Sequence, residues 1–134
     1  MRLRLVNIVA AGGAFLCAAT TVSGQEEAPT VPSGIALTLQ EVREETDPAG
    51  NPVVRFRYVA LELANVGFAR VEGDFDVICK DQVLPWVALK DPLPKRAVIS
   101  MASAPVEFGA TAPDVTQYFE VYRLENGSCI WEGL

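Results

Sequence analysis

Apolar residues recur at every second position over several stretches of the chain and at every third or fourth over one. Ile35, Leu37 and Leu39 alternate with Ala36, Thr38 and Gln40, which predicts a strand over about 35–45. Val42 breaks the alternation and marks a possible bulge. Residues 47–52 (DPAGNP) form a turn cluster. From Val53 the pattern resumes, with Val54, Phe56, Tyr58 and Ala60 on one face and Arg55, Arg57 and Val59 on the other. Strand, turn and strand predict an antiparallel hairpin with one buried face. Residues 64–73 show no clear period. Over Asp74 to Leu84, Phe75, Ile78, Cys79 and Gln82 follow helical spacing and Val83 extends the stripe. Asp74 is the expected N-cap and Pro85 the expected stop. Arg96 to Ser103 reads as a strand, residues 104–114 as a loop, and Val115 to Leu124 as a second strand. Asn126-Gly127 then signals a two-residue hairpin turn. Such a turn pairs Glu125 with Ser128, Leu124 with Cys129, Arg123 with Ile130 and Tyr122 with Trp131, so Tyr122, Leu124, Cys129 and Trp131 share a face.

These elements predict an α+β domain over 34–134: an antiparallel sheet of four to five strands with one short helix packed on one face. An all-β sandwich is the alternative, with 74–84 as strand or loop. Residues 25–33, with two prolines and no period, read as a flexible N-terminal arm.

The first 24 residues follow a different logic. Arg2 and Arg4 precede an apolar run from Ile8 to Ala19, and Val22-Ser23-Gly24 offers small residues before Gln25. That order is the pattern of a cleaved export signal. An uncleaved anchor competes with it, but the run is short against the roughly 20 apolar residues a bilayer span needs. Lipidation at Cys17 would need a small residue where Leu16 stands. Cleavage after Gly24 would remove two of the 11 bases and none of the 17 acids, leaving 110 residues with a net charge of −8. That balance disfavours nucleic acid and anionic lipid as partners. With Cys17 gone, Cys79 and Cys129 remain, and in an oxidising compartment they are expected to form a disulfide. The bridge would pin the helix onto the aromatic face of the terminal hairpin.

The candidate chemistry is sparse. The chain has no histidine, which excludes Ser-His-Asp and Cys-His machinery and His-ligated zinc. No phosphate-binding glycine loop or nucleophile elbow occurs, so no catalytic residue, metal or cofactor is assigned. Arg55 and Arg57 project from one strand face with Arg43 nearby, a possible anion-binding group; cross-strand ion pairing to Glu41, Glu44 or Glu62 is the plainer reading. Tyr118, Tyr122 and Trp131, with Trp86, are a possible apolar pocket or simply core. Residues 72–76 (EGDFD) are too few acids for a calcium loop and suit helix capping. Glu120 is the one carboxylate placed to act as a general acid or base, if buried beside another.

The string Val98-Ile99-Ser100, Ala104-Pro105-Val106-Glu107-Phe108-Gly109, Ala112-Pro113-Asp114, Thr116-Gln117-Tyr118-Phe119-Glu120 and Asn126-Gly127 with Cys129-Ile130-Trp131-Glu132, together with the leader and Cys79, resembles a family of small exported proteins of unknown function from Gram-negative bacteria. The resemblance covers most of 33–134 and implies no defined catalytic role. Some such proteins carry the name acetolactate synthase. Catalytic chains of that enzyme are several times longer and bind thiamine diphosphate and magnesium, and this chain has neither the length nor a phosphate-binding motif. The expectation is a periplasmic or secreted, non-enzymatic binding module without a stable membrane anchor after cleavage. It would engage an unidentified protein or small ligand of the cell envelope. A small carboxylate-dependent enzyme acting on an envelope substrate is the alternative.

Overall fold

The computed structural model describes Gly12, Gly13 and residues 28–133. Apart from those two glycines, the expected leader and its cleavage point lie outside the described residues.

Five strands form one sheet in chain order: β1 (Thr38–Thr46), β2 (Pro52–Val59), β3 (Arg96–Ala102), β4 (Gln117–Glu125) and β5 (Ser128–Glu132). Neighbours pair antiparallel except β2 and β3, which run parallel. The expectation of a purely antiparallel sheet is corrected accordingly: the sheet is mixed. The physical reason is the connection over 60–95. Its helical crossover returns the chain to the end where β2 began, and a parallel partner requires such a return. A short turn would have made β3 antiparallel to β2.

The crossover holds a 3₁₀ turn (Leu61–Asn65), helix α1 (Phe68–Ile78), a wider π turn (Cys79–Val83) and a final helical turn α2 (Leu84–Val87). The helix therefore starts six residues before the expected Asp74, and Gly67, not Asp74, is its N-cap. Val71, Asp74, Phe75 and Ile78 are its buried residues, at the i, i+3, i+4, i+7 spacing of one helix face. Asp74 thus occupies a core position. Pro85 does not stop the helix either. It follows the π turn as the second residue of α2, where an imino nitrogen removes no needed donor.

Alternation along the strands sorts the sheet faces. Val54, Phe56 and Tyr58 of β2, Ala97, Ile99 and Met101 of β3, and Tyr122 of β4 are buried with Val71, Phe75, Ile78, Cys79 and Val83 in one core. The register of β1 shifts between Leu39 and Glu41. This bulge lies two residues before the expected one, and it puts Val42 opposite Phe56 on the core face. In the β1–β2 turn, Asp47 accepts hydrogen bonds from the Ala49 and Asn51 amides at 2.9 and 2.8 Å. The Asn51 bond is the main cause that holds its carboxyl below the usual aspartate value. The terminal hairpin has the expected register, from Glu125 with Ser128 to Tyr122 with Trp131. Asn126 and Gly127 supply the two positive φ angles, 51° and 71°, that this turn type requires.

The N-terminal segment is fastened at its inner end. Val31, Ile35 and Leu37 join the core. The fully buried Asp74 carboxylate accepts the Ser33 amide at 2.9 Å through one oxygen and the Ser33 hydroxyl through the other. A buried carboxylate without such donors would be strongly destabilising, so Ser33 and Asp74 form one unit.

Candidate functional site

The Cys79–Cys129 disulfide is present and joins the π turn to β5, with the two Cα atoms 6.3 Å apart. It clamps the helix over one side of the sheet. On that side, Tyr122 and Trp131 pair directly across the β4–β5 ladder, and both face the helix. Between α1 and the ribbon lies a cleft of about 360 Å³ lined by Phe68, Glu72, Gly73, Asp76, Glu120, Tyr122 and Trp131. A volume of this order lies at the lower end of small-ligand sites.

Each lining group has a local cause. Phe68, Glu72 and Asp76 recur every four residues on α1 and so stack along one helix face. Gly73 leaves open space where a side chain would start. Glu120 is the exception to the inward pattern of β4. It lies between Tyr118 and Tyr122 and opposite Ile99 of β3, where alternation calls for an apolar residue.

Two hydrogen bonds order the cleft. The Tyr122 hydroxyl donates to Asp76 Oδ1 at 2.6 Å. Burial is the largest cause that pushes this phenol well above the ordinary tyrosine range; the bond to Asp76 adds to it, as do the charges of Asp76 and Glu120. The Trp131 indole N–H donates to Glu120 Oε2 at 2.6 Å. At the other end of the same ring, a Cβ on Gly133 would lie 2.9 Å from Trp131 Cη2, so a larger residue there would displace the indole. Trp131 remains 60% exposed. It is an indole held at its N–H edge with its surface left to solvent.

Of the three aromatics expected to line a pocket, Tyr122 and Trp131 meet here. Tyr118 packs behind the wall, edge-on to Phe68 at 5.3 Å between centroids. Trp86 lies apart, edge-on to Phe56 at 5.8 Å, with the Lys90 ammonium 4.2 Å from its ring centre. Phe68 is missed by the sequence reading because the expected helix begins at Asp74 and not at Phe68, while Glu72 and Asp76 are read there as capping acids and not as one face of a cleft. Their four-residue recurrence was the available signal.

Arg43, Arg55 and Arg57 gather on the opposite sheet face. Arg55 bonds Glu45 at 2.6 Å, Arg57 pairs with Glu41, and Arg43 lies 3.6 Å from Glu41. The loop after β3 folds back over them: Arg57 donates to the Val106 carbonyl at 2.7 Å, and the Arg43 guanidinium stacks 3.9 Å from the Phe108 ring centre. Glutamates, a carbonyl and an aromatic ring thus already meet these three charges, and the cluster ties the loop to the sheet.

Among the described residues, no three His, Cys, Asp or Glu side chains converge closely enough to hold a metal ion. No helix there is long and apolar enough to cross a membrane. A family model described as a family of unknown function, DUF6497, matches residues 13–134. No curated protein and no solved structure matches the chain.

Proposed function

The chain belongs to the family of unknown function DUF6497, and we propose that it is a small exported, non-enzymatic binding module of the periplasm or extracellular space, whose recognition surface is the cleft between α1 and the β4–β5 ribbon. The single observation that carries this reading is Trp131, largely exposed yet held on one edge by the hydrogen bond from its indole N–H to Glu120. Rigid, exposed aromatics are the usual anchors of recognition, because little side-chain entropy is lost when they are covered. Export is supported by the leader pattern and by a disulfide between distant cysteines, the kind that persists in oxidising compartments.

The test is photo-crosslinking in intact cells from two positions, Glu72 on the cleft rim and Phe119 on the opposite sheet face. The expected result is a discrete adduct from position 72 and none from 119. Adducts from 119 alone, or none from either, would overturn the reading. Fractionation and intact mass check export: the mature chain should start at Gln25 and weigh two hydrogens less than its reduced form. A small carboxylate-dependent enzyme acting on an envelope substrate is the second reading, favoured by Glu120 sharing the cleft with Glu72 and Asp76. Turnover of an envelope-derived substrate, abolished by Glu120→Gln, would establish it in place of the module.

A further inference from the structure

We propose that this cleft takes an organic ammonium ion, a positively charged nitrogen carrying alkyl groups; the inference rests on the cleft being the recognition surface proposed above. The first ground is an aromatic wall. Phe68 and the largely exposed Trp131 line the space, with the buried Tyr122 also in its lining; Phe68 packs on the edge of Tyr118, Tyr122 donates to Asp76 and Trp131 donates to Glu120. Aromatic faces attract alkylammonium groups because the negative ring face meets a weakly hydrated cation while the alkyl groups cover apolar surface.

The second ground is unmatched charge at the same place. Glu72, Asp76 and Glu120 line the cleft and no basic side chain does. Ion pairs among the described residues use Glu41, Glu44, Glu45, Glu125 and Glu132, and none involves the three cleft carboxylates. Asp76 and Glu120 each accept one hydrogen bond through one oxygen, which leaves the second oxygen of each for a ligand. The third ground separates an organic cation from a metal. The carboxylates are too dispersed to ligate one ion, whereas a diffuse ammonium charge needs proximity and not ligation. Glu120 thereby gains a reason for standing in the core-facing row of β4.

The experiment is calorimetric titration of the mature, oxidised protein with choline and with 3,3-dimethylbutan-1-ol, which replaces the charged nitrogen by carbon and keeps the shape. Choline should bind at least about tenfold more tightly than the neutral compound, in line with the strength of a cation over an aromatic face. Glu120→Gln should weaken choline by roughly three- to tenfold while an amide oxygen still accepts the indole N–H. Gly133→Ala should weaken it comparably with no change in charge, because its Cβ displaces the Trp131 ring. Circular dichroism and thermal midpoints of both variants confirm that they fold. A parallel arm with phosphatidylcholine vesicles distinguishes a free ammonium compound from the same group on a lipid; binding in either arm supports the chemistry. Equal affinity for choline and its neutral counterpart, affinity unchanged in both folded variants, or no binding in either arm up to about 10 mM choline, would overturn the proposal. Crosslinks from position 72 together with any of those results would remove the ammonium and leave the module standing. Loss of those crosslinks would remove the module itself.

Discussion

Replacing both bridging cysteines, as Cys79→Ala/Cys129→Ala, measures what the staple contributes. The bridge spans 50 residues of sequence. Closing a loop of that length in the unfolded chain gives a stabilisation of roughly 4 kcal/mol in the chain-entropy treatment. The folded side of the balance changes less, because Phe75, Ile78 and Val83 remain in the core and continue to hold the helix on the sheet. A loss of about 4 kcal/mol is a large share of the typical 5–15 kcal/mol of a domain. It should lower the thermal midpoint by roughly 15–30 °C, at about 4–8 °C per kcal/mol for a domain near this size. The assay is guanidinium unfolding followed by far-ultraviolet circular dichroism, with and without reductant. The double variant should unfold at lower denaturant, with a steeper dependence because its unfolded state is more expanded. Reductant should bring the natural protein to the same curve and leave the variant unmoved. A difference below about 1 kcal/mol between oxidised protein and variant would refute the view that the crosslink, and not packing alone, secures the helix to the ribbon.

Removing the Ser33 hydroxyl (Ser33→Ala) should cost about 1–3 kcal/mol in the same denaturation assay, since a buried carboxylate loses a donor; Asp74→Ala in that background should add less than it does alone. Above pH 10 the unfolded chain ionises Tyr122 while the folded chain keeps the phenol protonated, because its folded pKa is raised. This contribution is whole below the unfolded value and is lost as pH climbs toward the folded one. Alkaline unfolding should therefore begin later in Tyr122→Phe, with tyrosinate absorbance as the second readout. Arg57→Met should destabilise by about 2–4 kcal/mol, because Glu41 and the Val106 carbonyl lose a largely buried partner. It should also raise proteolysis within 104–114.

The parts of this structure that were legible in the sequence are those fixed by neighbours. The Asn126-Gly127 turn sets the β4–β5 register, and that register places Cys129 and Trp131 on the helix side. Period-two spacing likewise placed Val54, Phe56 and Tyr58 inside. What the sequence concealed depends on distant partners. Asp74 looks like a cap because an aspartate rarely occupies a core position, and only Ser33, 41 residues away, makes it tolerable there. Reading Asp74 as a cap shortened the helix and hid Phe68 and Glu72, one wall of the cleft. The parallel pairing of β2 with β3 follows from where the crossover returns, which local periodicity does not encode. Glu120 stands out in the sequence only as a carboxylate that could act if buried beside another; its partner is the Trp131 indole, which the closed hairpin brings to it.

The two tryptophans give a direct reading of where a cation settles. With both indoles labelled with nitrogen-15, the spectrum should show one resonance from Trp131, hydrogen-bonded to Glu120, and one from Trp86 at the other end of the helix. On titration with choline, the Trp131 resonance should move progressively and saturably while Trp86 stays in place. Movement of Trp86 alone, or equal drift of both, would contradict an aromatic ammonium site between the helix and the terminal ribbon.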